Sequence, residues 1–101
     1  MTSHDREDLA PLPLAAIAGL TAYGEARGEP ILGVLAVLSV LNNRSVTSSR
    51  TLTDVALAPF QFSCWNDNDP NFPHLLMSAR QLLAANLSYD PILDICLYLG
   101  G

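Results

Sequence analysis

The chain has 101 residues, half of them apolar and 15% charged, a composition that fits one folded domain and excludes a disordered chain. A chain this short hides only roughly 60–65% of the surface its unfolded form exposes, so its core is modest. Ten acidic residues against five basic ones give a formal charge of −5, which repels phosphate backbones, offers no attraction to an anionic membrane surface and argues against nucleic acid as a partner.

Residues 1–9, MTSHDREDL, predict a polar, flexible tail. The start is mixed and mostly acidic rather than basic. No secretory signal is evident, and the chain reads as a soluble protein made in the cytoplasm. Pro11 and Pro13 punctuate the entry to a helix. From Leu14, LAAIAGLTAYGEA is rich in helix formers, with apolar residues at helical spacing. Gly28 is the expected stop, because glycine accepts the left-handed conformation that ends helices. Pro30 bars a continuous helix, since the residue before a proline avoids the α region.

Pro30 suits the first position of a second helix, PILGVLAVLSVLNN, running to about Asn43. That helix is apolar nearly all round and is therefore predicted to be the central, buried one. Its longest apolar run, Ile31 to Leu41, contains Gly33 and Ser39 and is too short to span a bilayer, so no membrane span is expected. SVTSSRT predicts a polar loop. A short third helix follows over about Leu52 to Ala58, capped by Thr51 or Thr53 and stopped near Pro59. FQFSCW, residues 60–65, alternates loosely and predicts a short strand or an extended loop. NDNDPNFP, residues 66–73, is loop.

From His74, HLLMSARQLLAANL is again helical, with apolar residues at 75, 76, 79, 82, 83 and 87. Tyr89-Asp90-Pro91 breaks it. The segment ILDICLYLGG is apolar and stops on two glycines. A compact domain rarely finishes that way, and the expectation is that the natural sequence continues. Cys64 and Cys96 form no CxxC pair, which gives a structural zinc little support. Two buried free thiols are expected, with a disulfide as the alternative. Asp67-Asn-Asp69-Pro-Asn71 is like the opening of a calcium loop. However, Phe72 stands where the sharp turn needs glycine and no glutamate closes the twelfth position, so a turn rich in Asx residues is the reading. His4 and His74 lack ligand-spaced partners and read as surface histidines.

The charges in TAYGEARGEP, residues 21–30, stand among some of the most apolar sequence in the chain. Glu29 precedes Pro30 at the start of a helix, where a carboxylate is favoured by free N–H groups and the helix dipole. It predicts a structural corner with Arg27 and Gly28. Glu25 falls in the last turn of the first helix, at the wrong end of the dipole for a negative charge. Two readings follow: a solvated or arginine-paired glutamate, or a partly desolvated carboxyl group of the kind a general acid needs.

YGEARGEP, the apolar helix from Val37 that ends in NNR at Arg44, and then QFSCW together resemble the SleB-type cell wall hydrolases, which include spore-cortex lytic enzymes and phage lysins. The resemblance covers roughly residues 15–90, and its specificity lies in the joining of EARGE to NR and QFS at suitable distances. It implies a mainly α fold over residues 10–101: a small lysozyme-like domain related to lytic transglycosylases, with at most a short β element. It implies action on the glycan strands of peptidoglycan, at the cell wall, without a cofactor or metal, by a chain expected to be a monomer. By that resemblance Glu25 is the catalytic acid/base.

A lytic transglycosylase can work with one carboxylate, because the substrate supplies the nucleophile. A hydrolase needs a second carboxylate to activate water, and Asp54, Asp67, Asp69 and Glu29 are the candidates. Gln61, Ser63 and Trp65 fit a sugar-binding groove, by hydrogen bonding and by stacking on a sugar face. The alternative for Trp65, Phe60 and Phe62 is hydrophobic core. Tyr23 is a candidate hydrogen-bond partner near Glu25, with ring packing as its alternative. Members of the family continue past an aspartate-proline turn into a glycine- and aromatic-rich segment. Here Asp90-Pro91 is present, but ILDIC departs from that pattern, and the chain stops at Gly101. Two alternatives remain open: a non-catalytic helical module that grips glycan or a partner, and an inactive fragment of the hydrolase.

Overall fold

The structure, a computed structural model, describes residues 1–59 and 61–84. The fold is mainly α, as expected. Among the described residues five helices run in order: α1 (Ser3–Leu9), α2 (Leu14–Ala26), α3 (Ile31–Ser48), α4 (Leu52–Leu57) and α5 (Phe72–Ala84), with a 3-10 turn at Ser63–Trp65 between α4 and α5. No strand occurs among the described residues. The second half of the 60–65 segment is thus neither strand nor extended loop: Trp65 N–H bonds to Phe62 O at 3.2 Å and Asn66 N–H to Ser63 O at 2.9 Å, winding SCW into one tight turn after an extended Phe62. Phe60, Cys96, the Tyr89-Asp90-Pro91 break and the apolar end lie outside the described residues.

The expected tail is a helix instead. Thr2 and Asp5 close a reciprocal capping box: the Thr2 hydroxyl accepts Asp5 N–H at 3.0 Å and the Asp5 carboxylate accepts Thr2 N–H at 3.1 Å. That backbone bond leads the causes that hold the Asp5 carboxyl below its ordinary range, with Arg80 contributing. Leu9 then enters the core with no exposure. Two arginines fasten the helix. Arg6 bonds Leu57 O at 3.0 Å and the Asp54 carboxylate at 3.3 Å, on α4. Arg80 reaches from α5 to Asp5 at 3.3 Å and to Asp8 at 2.9 Å.

The centre of the fold is α2, not α3. Ala16, Ile17, Ala18, Leu20, Thr21, Ala22 and Ala26 are buried, and α3, α4, α5 and the 3-10 turn all pack against this one helix. Its alanines and glycines make it thin enough to be approached from several sides. In α3, Leu41 alone is fully buried. The stripe Val34, Val37, Leu38 and Leu41, spaced i, i+3, i+4, i+7, is buried or half-buried. The other face stays outside: Ile31, Leu32 and Val46 are 69%, 75% and 73% exposed. Uniform apolarity concealed which stripe packs. By length and composition α3 is also the one helix among the described residues apolar enough to cross a membrane, with Asn42, Asn43 and Arg44 inside it. At 1.5 Å per residue it reaches roughly 27 Å, just short of a hydrocarbon core.

The helix also runs five residues past Asn43, through the expected loop. Serine hydroxyls sustain its last turn, with Ser48 Oγ donating to Arg44 O at 2.6 Å. Ser49 then takes the left-handed conformation, φ 55°. Arg50 N–H bonds back to Ser45 O and Ser49 N–H to Val46 O, the Schellman pattern, with serine in the position usually given to glycine. Thr51 caps α4 through Asp54 N–H at 3.1 Å. Proline at the second position starts α5, which is amphipathic as expected: Leu75, Ala79 and Leu82 are buried and Leu76 and Leu83 half-buried. The Asp69 carboxylate accepts Asn71 N–H at 2.8 Å, the Asx turn read from the sequence.

A docked α1 and a loose tail differ in what Leu9 contributes. We expect Leu9→Ala to lower unfolding stability by about 2–5 kcal/mol in chemical denaturation. A change within about 0.5 kcal/mol, the ordinary effect of an exposed position, would mean that the segment is not packed.

Candidate functional site

The residues singled out by the sequence converge on the C-terminal half of α2 and the 3-10 turn. Thr21, Gly24 and Glu25 stand at i, i+3 and i+4 and therefore share one face. Each meets the turn. The Trp65 indole N–H donates to Thr21 Oγ1 at 3.0 Å, while the Thr21 hydroxyl itself donates to Ile17 O at 2.7 Å. Cys64 N–H donates to Glu25 Oε1 at 3.1 Å. Between these two bonds lies Gly24. A Cβ there would stand 2.7 Å from Cys64 Cβ, 2.7 Å from Leu75 Cδ1 and 2.9 Å from Cys64 Sγ. Only a residue without a side chain lets the turn come this close.

Glu25 is half-buried. Oε1 is held by the Cys64 amide; Oε2 accepts no hydrogen bond among the described residues and is not buried. One carboxylate oxygen is thus anchored and the other presented. Burial first, and then the Glu25 charge, push the Cys64 thiol above its ordinary range, so it stays protonated at neutral pH. Cys64 is a buried free thiol. It packs beside the acid, in the protonated form.

Tyr23 and Glu25 flank Gly24 about 100° to either side of it. Tyr23 accordingly does not bond Glu25. Its ring lies against His74, centroids 5.9 Å apart and tilted by 45°, and the Arg27 guanidinium sits 5.8 Å from the ring centroid. His74 is half-buried in this contact rather than a free surface residue. The corner is a type II turn: Arg27 has φ −58° and ψ 127°, Gly28 has φ 84°, and Glu29 N–H closes on Ala26 O at 2.9 Å. Arg27 and Glu29 form no ion pair among the described residues. The Glu29 side chain rests on Gly33 in the first turn of α3, where a Cβ would be 3.0 Å from Glu29 Cβ.

Gln61 and Ser63 are exposed on the strip that carries the Cys64 amide. Trp65 is not available for stacking in this conformation: it is 3% exposed and its N–H is spent on Thr21. Its core alternative holds. Of the candidate second carboxylates, Asp54 pairs with Arg6 and Asp67 with the terminal amine. Asp69 is the one besides Glu25 whose charge also acts on the Cys64 thiol. A cavity of about 660 Å³ lies elsewhere, between α1 and the end of α4 against Asn66 and Asp67; Glu25 does not line it. Sequence reasoning missed Thr21, Gly24 and the Cys64 amide as parts of one unit. The i, i+3, i+4 spacing was the available signal.

No family model, curated protein or solved structure matches the chain. The close approach at Gly24 makes its own test. We expect Gly24→Ala to cost about 1–3 kcal/mol, since backbone and a packed leucine must give way. The Cys64 amide should then lose hydrogen-exchange protection and shift in NMR spectra. A neutral substitution with an unchanged Cys64 amide would refute the contact.

Proposed function

We propose that the chain cleaves the glycan strands of peptidoglycan as a SleB-type lytic transglycosylase or glycosidase, with Glu25 as acid/base. The observation that carries this reading is the Glu25 carboxylate, pinned through one oxygen by the Cys64 amide and open at the other. The small helical fold is consistent with a lysozyme-like domain, and that identity belongs to the proposal. So does action at the cell wall, reached by phage-type release or another export route.

In the one-carboxylate route, protonated Glu25 gives its proton to the glycosidic oxygen as the bond to C1 of the muramic sugar breaks. The C6 hydroxyl then closes onto C1 and returns its proton to Glu25. The product is an anhydro sugar and the acid is regenerated. In a hydrolytic route water replaces the C6 hydroxyl and a second carboxylate takes its proton. Asp69 is the one of the four candidates whose charge also acts on the Cys64 thiol. Tyr23, Gln61 and Ser63 are the groove residues of this proposal. The exposed apolar face of α3 favours a second reading, a non-catalytic module that binds glycan or a partner.

Glu25→Gln separates the two readings. Purified peptidoglycan is incubated with each protein and the released muropeptides are weighed by mass spectrometry. We expect release to fall on the order of 10²–10⁴-fold in the variant while binding to the sacculus persists. Products lighter by one water than reducing-end products establish the one-carboxylate route. Reducing-end products require the second carboxylate. No Glu25-dependent release from folded protein leaves the binding module.

A further inference from the structure

Beside the Cys64 strip, the end of α3 and the start of α4 enclose a cleft of about 370 Å³, lined by Arg44, Thr47, Ser48, Arg50 and Gln61, with Val55 among its apolar lining. The chain carries −5 overall and has only five basic residues. Two of them face this one cleft, and no carboxylate among the described residues lines it. The other arginines are engaged elsewhere: Arg6 and Arg80 are in ion pairs, and Arg27 lies over Tyr23.

Neither cleft arginine has an ionic partner among the described residues. Arg44 donates from Nη1 to the neutral Gln61 Oε1 at 3.2 Å, and its guanidinium sits 5.4 Å from the Phe62 ring centroid. Arg50 donates from Nη2 to the main-chain oxygen of Asp54 at 3.1 Å. The Asp54 carboxylate itself turns to Arg6. A guanidinium has five N–H donors, so among the described residues most of the donors on both arginines are unfilled.

Both cations are also held in place. Ser45 Oγ donates to Arg50 O at 2.5 Å and Arg50 N–H donates to Ser45 O at 3.2 Å, so the left-handed Ser49 folds Arg50 back onto the last turn of α3. Arg44 is held between an aromatic face and an amide. Two positioned guanidiniums with free forks, flanked by the Thr47 and Ser48 hydroxyls, form a receptor for an oxyanion, planar or tetrahedral. Gln61 ties this cleft to the catalytic strip. It lies three residues before Cys64, at most about 11 Å along the chain from the amide that anchors Glu25.

We propose that this cleft is an anion subsite that seats a carboxylate or phosphate of the wall polymer while the glycan lies across Glu25. The placement on a wall polymer rests on the proposed function; the oxyanion chemistry does not. The test uses ¹⁵N-labelled full chain, carrying Glu25→Gln so that no substrate turns over. NMR titrations at fixed ionic strength use three probes: inorganic phosphate, a muramyl peptide with free stem carboxylates, and a poly(glycerol phosphate) chain.

The expected result is saturable shifts of the Thr47, Ser48, Arg50 and Gln61 signals. Arg44→Gln and Arg50→Gln should each weaken binding by about ten-fold, and Arg50→Lys, which keeps the charge but loses the fork, should restore only part of it. Tighter binding of the muramyl peptide assigns the seat to peptide carboxylates, and tighter binding of the glycerol phosphate chain assigns it to phosphodiesters. No saturable shift at these residues, or shifts that survive both glutamine variants in folded protein, would overturn the subsite. Phosphate binding in the cleft with no Glu25-dependent glycan cleavage would remove the enzyme reading and leave the subsite standing.

Discussion

The fold and the candidate site both depend on how closely the Ser63–Trp65 turn can approach α2. That distance is set at Gly24, where the turn comes within contact of the helix backbone and a single methyl group would collide with sulfur, carbon and a core leucine. Everything nearby uses the approach. It buries the Trp65 indole over Thr21, seats the Cys64 thiol among apolar neighbours and carries the Cys64 amide to Glu25. A glycine within a helix costs up to roughly 0.5–1 kcal/mol relative to alanine, and Gly24 stands in the last turn of α2. Here the cost is offset by one packed turn and two buried or half-buried hydrogen bonds.

Much of the fold was legible because its signals are local. Pro13, Gly28 and Pro30 bound α2 and α3 as read, the Thr51 cap starts α4 at the expected residue, and the α5 stripe follows its period. Glu25 was legible as a charge at an unfavourable helix end. What was not legible depends on tertiary contact. Nothing in PILGVLAVLSVLNN distinguishes the face that packs from the face that does not, and the short side chains of α2 proved the better mark of a centre. The α1 error was avoidable: Thr2 and Asp5 have the spacing of a capping box, and Leu9 follows where a docking residue belongs. The 3-10 turn left no periodic trace, since three residues make no period.

Charge in this small acidic protein is sorted by position. On one side Arg6 and Arg80 are neutralised by Asp5, Asp8 and Asp54, and their work is to bind α1 to α4 and α5. On the other, among the described residues Arg44 and Arg50 bond an amide and a carbonyl oxygen, with the Phe62 ring beside Arg44. Exposed ion pairs of the first kind contribute little individually, and their value lies in several converging on one short helix. Cations of the second kind leave a local positive field in a chain whose net charge is negative, and the Cys64 amide that holds Glu25 stands three residues along the backbone from Gln61 in that cleft.

The buried thiol of Cys64 has a consequence for how the molecule can be watched. It is kept in its unreactive form by burial and by the acid above it, and only separation of the turn from α2 would release it from both. Its capture by an alkylating reagent is therefore a clock for the local opening of this joint rather than for exposure of the surface at large. The same event that bares the sulfur frees the Glu25 oxygen from its amide. The labelling rate of one atom thus counts the moments at which the carboxylate is out of place.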